Sequence, residues 1–188
     1  MISRLPQVYA VLLGTVVLSA CTVDLGECND PVARRVVYDP DGFPAYEGQA
    51  LVATSCGNVF YCHSSIADPE FRYGATVGFD FDIQLGETPE DAERLRQAQA
   101  NVLEYRDDIY CEVQDGRMPP FGEATLVAHE EIPRYRNADG ERIPFIDSFE
   151  GLNILRGWLA CDAPVIERTT PHPDGATPVG DVVPRLTN

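Results

Sequence analysis

Two cysteines enclose five residues, Cys56-Gly57-Asn58-Val59-Phe60-Tyr61-Cys62, and His63 follows the second directly. What such a pair can become depends on where the chain is sent. Arg4 supplies a positive start, and an apolar run from Val8 to Leu18 follows, interrupted by Gly14 and Thr15. The run is too short to span a bilayer and has the form of a signal-peptide core. Export places the six cysteines of the chain in an oxidising compartment, where disulfides persist. Cys56 and Cys62 then read in one of two ways. They close a short disulfide loop with His63 on the surface, or they are two anchoring thiols beside a ligating imidazole.

The leader ends in Leu18-Ser19-Ala20-Cys21, which resembles a bacterial lipobox. That resemblance makes residues 1–20 a lipoprotein signal peptide and Cys21 the acylated first residue of the mature, lipid-anchored protein. Thr22, rather than Asp, after the cysteine favours the outer membrane among the lipoproteins it resembles. With Cys21 acylated, Cys28, Cys56, Cys62, Cys111 and Cys161 remain, an odd number that cannot all pair. The rest of the chain is long enough for one domain with its own core. The whole chain carries a formal charge of −16 and contains no lysine. Such a surface does not bind nucleic acid through phosphates. Anionic lipid repels it too, so membrane affinity must come from the anchor. The acidity also favours solubility.

Residues 21–44 read as a tether with a short extended entry, Val36-Val37-Tyr38, and a turn at Pro40–Gly42. Ala45 to Ser55 reads as a short helix entering the cysteine pair, with Gly48 exposing backbone for close packing. A loop follows through Gly74, Gly78 and Gly86. Within it Phe79, Phe81, Ile83 and Leu85 alternate as a strand or an extended wrap, and Asp80 and Asp82 read as its solvent face. The clearest helix starts at Thr88, an N-cap ahead of Pro89, Glu90 and Asp91. Its stripe runs Ala92, Leu95, Ala98, Val102, Tyr105, Ile109, and Gly116 stops it. Residues 122–146 form a polar insertion, with a hairpin from Tyr135 to Phe145. A last helix starts at Asp147, capped through Asp147-x-x-Glu150, and buries Leu152, Leu155, Trp158 and Leu159. From Ala163 the composition is that of a poorly ordered, Pro-rich tail. No catalytic triad order, phosphate loop or zinc spacing stands out, and the chain reads as a non-enzyme. His129, beside Glu130 and Glu131, and His172, in the tail, read as solvated.

Met118, in Gly116-Arg117-Met118-Pro119-Pro120, is the only methionine outside the leader. Together with Cys62-His63, with Gly48 eight positions before Cys56, and with the close Trp158-Leu159-Ala160-Cys161-Asp162-Ala163-Pro164, it resembles the class I cytochromes c and their envelope-lipoprotein relatives. The resemblance covers about residues 45–164, leaving 165–188 as the tail. It implies a mostly α, cytochrome c-like fold with a loop and β-hairpin insertion, in which Gly48 and Trp158 meet where the first and last helices cross. It implies one covalent haem c, held by thioethers at Cys56 and Cys62. His63 and Met118 would be the axial iron ligands, and Pro119 and Pro120 would stiffen the distal loop. Imidazole and thioether together make a high-potential iron suited to electron transfer. The implied function is a single-haem carrier serving periplasmic or outer-membrane redox proteins, with basic surfaces expected on those partners. The resemblance also implies a Cys111–Cys161 disulfide near the haem edge; Cys28 with either residue is the competing pairing. The departure is the bridge: five residues lie between the cysteines where the family has two, and they must bulge outward. The alternative reading is a haem-free binding or structural module with a Cys56–Cys62 disulfide.

Overall fold

The structure is a computed structural model, and it describes residues 21–57, 62–64, 67–72, 75, 78, 80–81, 88–119 and 135–167. The fold is mostly helical with one small sheet. A short helix α1 (Asp30–Ala33) leads to β1 (Val36–Tyr38), which pairs antiparallel with β2 (Pro44–Tyr46) in the register Val37↔Ala45. The turn between them is the expected one. Asp39 accepts from the backbone N–H groups of Asp41 and Phe43, and Gly42 takes a positive φ of 84° that favours glycine. Helix α2 (Glu47–Val52) follows and widens into a π-helical turn over Ala53–Gly57. Beyond the loops come α3 (Pro89–Glu104), α4 (Arg106–Gln114) and α5 (Phe149–Ala160).

The core is organised by the crossing of α2 and α5. A Cβ at Gly48 would lie 2.3 Å from both Cβ and Cγ of Trp158, so only glycine lets the two backbones approach this closely. Trp158 is fully buried, and its indole N–H donates to Pro164 O at 2.7 Å. Leu51, Leu95, Val102, Leu155 and Leu159 close the same core. Each such side chain contributes about 1.5–3 kcal/mol by leaving water.

Several boundaries differ from the sequence expectation. Thr88 caps α3 as expected, accepting from Asp91 N–H at 3.1 Å. The helix does not run on to Gly116, however: it breaks at Tyr105 (φ −110°, ψ 21°) and restarts as α4, which Gly116 ends with φ +69°. The apolar stripe continues in register across the break, so periodicity alone does not reveal it. The N-cap of α5 is Ser148 rather than Asp147: Ser148 Oγ accepts from Gly151 N–H at 3.0 Å. The hairpin is present, with Arg136 opposite Arg142 and Asn137 Oδ1 accepting from Asp139 and Glu141 at its tip. It also extends the sheet through Arg136 and Tyr38.

Two segments expected to be loose are packed. The tether places Val23 and Leu25 against the core, and Leu25 O accepts from Arg156 at 3.1 Å. In the tail, Ala163, Val165 and Ile166 are buried, and the Gln49 amide pairs with both backbone groups of Ile166 at 2.9 and 3.0 Å. The disulfides require the larger correction. Cys111 and Cys161 do not pair with each other. Cys28 joins Cys161, with Cα atoms 4.7 Å apart, and Cys21 joins Cys111 at 6.5 Å. The packed N-terminal segment places Cys21 beside Cys111 on α4 and Cys28 beside Cys161 at the end of α5. The leader, the first part of the insertion, Asp82, His129, His172 and residues 168–188 lie outside the described residues. Among the described residues no helix is long and apolar enough to cross a membrane.

Candidate functional site

The π-helical turn carries Cys56 at its end, and the chain returns to it at once: His63 N–H donates to Cys56 O at 3.1 Å. Cys62 reaches that position with a φ of +51°, a left-handed conformation that costs a non-glycine residue about 1–3 kcal/mol. His63 is 9% exposed. Its carbonyl accepts from Phe81 N–H at 2.7 Å, and its ring lies 4.6 Å from the Phe81 ring. Met118 follows α4, with its N–H bound to Glu112 O at 2.9 Å.

These pieces meet on one half-open cleft with a cavity of about 160 Å³, largely apolar in lining. From the chain before α3 come Ser55, Cys56, Cys62, His63 and Phe81. Tyr105 lies at the helix break, and Asp108, Ile109, Glu112 and Val113 come from α4, one turn apart in pairs. Met118 and Pro119 complete the lining. The four residues expected to hold a cofactor, Cys56, Cys62, His63 and Met118, thus line one cleft although 62 positions separate the first from the last. Cys56 and Cys62 are both thiols, not joined to each other or to another cysteine. Burial pushes the Cys62 thiol up, against the pull of the nearby Arg72 charge.

Arg72 went unnoticed in the sequence and holds the loop after His63. It is 5% exposed, and its guanidinium donates to Ser64 O at 2.9 Å and to Asp80 at 2.5 Å. Asp80, read as a strand's solvent face, is therefore the counter-ion of a buried cation, and its pairing keeps Ser64 and Phe81 beside His63. Sequence reasoning also missed Ser55, Tyr105 and the carboxylates Asp108 and Glu112. The i, i+4 spacing of Asp108 with Glu112, and of Ile109 with Val113, was the available signal for a shared face of α4. Among the described residues no group of three or more His, Cys, Asp and Glu side chains is placed to hold a metal ion. A haem iron asks the protein for only two ligands, one of which here would be a thioether. A scan against protein-family models finds no match to this chain, and searches of curated proteins and of solved structures find none either.

Proposed function

We propose that the chain is a lipid-anchored c-type cytochrome of the bacterial cell envelope, with one covalent haem in this cleft and a role as electron carrier. The observation that carries the reading is the convergence of two thiols, an imidazole and the lone mature-chain methionine on one apolar cleft. The donor set fits the group. Cys56 and Cys62 are thiols available for thioether bonds, and His63 and Met118 are a nitrogen and a sulfur ligand of the kind that holds a high-potential iron. When bound, the haem supplies a one-electron couple, and the protein supplies burial, orientation and electrostatics. Phe81, Ile109 and Val113 exclude water from it, which favours the less charged reduced iron. The Gly48–Trp158 crossing supports a cytochrome c-like arrangement of the first and last helices. Electron-transfer partners with basic surfaces suit the acidic chain.

Anchoring through Cys21 competes with the Cys21–Cys111 bond, because one sulfur carries a thioether or a disulfide but not both. Acylation at the membrane during export precedes folding, so a lipid-bearing Cys21 leaves Cys111 as a buried thiol on α4. The second reading, a haem-free module with a Cys56–Cys62 disulfide, draws on the five-residue bridge. A pyridine haemochrome assay on protein from its own envelope separates the two. One c-type haem per chain, retained after denaturation, is the expected result; a colourless protein contradicts it.

A further inference from the structure

Two hydroxyls of the π-helical turn, Thr54 Oγ1 and Ser55 Oγ, have no hydrogen-bond partner among the described residues, and their residues are only 7% and 8% exposed. A Ser or Thr hydroxyl inside a helical turn commonly returns its hydrogen to a carbonyl one turn back. Leaving it unmatched in the interior is costly. Irregular π turns are frequent at functional sites. The two hydroxyls differ in one respect: Ser55 lines the cleft beside Cys56, whereas Thr54 does not.

We propose that Ser55 donates a hydrogen bond into the cleft, to a polar atom of the haem attached at Cys56 and Cys62, and so raises its reduction potential. This rests on the c-type reading above. The acceptors that such a group offers are its carboxylates and its thioether sulfurs. An O–H dipole with its positive end toward the group stabilises the electron-richer, reduced state. The apolar lining strengthens that effect, because little solvent screens it. Ser55 is thus a tuning residue rather than an iron ligand. It acts against the field of Asp108 and Glu112, whose negative charges favour the oxidised state. Thr54, equally buried but away from the cleft, is the internal control.

The test is a potentiometric titration of the holoprotein from its own envelope, after a pyridine haemochrome assay of the wild type. Ser55→Ala is expected to keep the haem and to shift the reduction equilibrium roughly 3- to 10-fold toward the oxidised form. Tenfold corresponds to about 59 mV for one electron. Ser55→Thr, which keeps the hydroxyl, restores the wild-type potential, and Thr54→Ala leaves it unchanged. Should Ser55→Ala lose the haem, Ser55→Thr against Ser55→Val reads the same difference at matched shape. A Ser55→Ala or Ser55→Val protein that titrates with the wild type overturns the proposal, as does an equal shift in Thr54→Ala. A wild type without covalent haem overturns the functional reading and this inference with it, and the first assay identifies that failure separately.

Discussion

His63 and Met118 face the same cleft but are held differently. The backbone of His63 is fixed from two sides, by Cys56 O and Phe81 N–H, whereas Met118 hangs from the end of α4 through Glu112 O. On the proposed reading, the Met118 thioether is the ligand whose removal leaves haem attachment undisturbed. Met118→Ala is expected to retain covalent haem, open the sixth iron position and lower the potential. An unchanged ligand-field spectrum in that variant would remove Met118 from the site. Gly48 carries a different demand, purely steric. Its missing Cβ is what admits Trp158, and the atoms it would strike are the stem of a fully buried side chain. Gly48→Ala should cost about 2–3 kcal/mol, the upper part of the overpacking range. Urea unfolding checks this, and an unshifted midpoint would mean the helices do not cross there. Gly48 was legible in the sequence, because no residue with a Cβ fits where it meets Trp158. Ser55 and Arg72 were not, since a serine at a helix end or an arginine in a loop reveals nothing of its burial.

At the scale of elements, α2 begins with a buried carboxylate. Burial pushes the Glu47 carboxyl above its ordinary value of 4.5, and the ion pair with Arg35 at 3.0 Å only partly opposes this. The folded state therefore binds this proton more tightly than the unfolded chain does. The resulting stabilisation is fully present below pH 4.5 and is lost as pH rises through the higher folded value. Glu47→Gln removes that dependence. Thermal unfolding from pH 4 to pH 8 should show wild-type stability falling relative to the variant as pH rises; a parallel or rising difference contradicts the assignment. The Cys28–Cys161 bond ties the first described segment to the end of α5 across 133 positions. The chain-entropy model gives about 5 kcal/mol for so long a closure, an upper figure. Cys28→Ser should lose much of it, measured as a lower denaturant midpoint than the wild type when both are unreduced; an unshifted midpoint contradicts the bond. The start of α3 was readable, because Thr88 sits at a recognisable N-cap, whereas α5 is capped by Ser148, one residue past the expected Asp147. The break at Tyr105 was not readable, since its apolar stripe stays in phase on both sides. The disulfide pairing was only partly within reach: Cys28 with Cys161 was among the competing pairings, but a cysteine count does not decide which ends meet, and Cys21–Cys111 was not expected.

The whole molecule is a helical domain in which residues from the N-terminal segment to the tail share one core. Its mostly helical character and its hairpin could be read from periodicity and turn residues. The packed tether and tail could not, for their composition is that of solvated chain. What seats them is specific: the Cys28–Cys161 bond and the Gln49 amide on Ile166. The same frame brings residues on either side of α3 to one cleft, and the functional account stands on what occupies it. The most direct measurement is the intact mass of the denatured, unreduced protein isolated from its own envelope, followed by mapping of the peptide that spans Cys56 to Cys62. The account predicts a chain heavier by one haem, with both cysteines of that peptide carrying it as thioethers. A chain without haem whose Cys56–Cys62 peptide is lighter by two hydrogens would establish the disulfide instead and contradict the account.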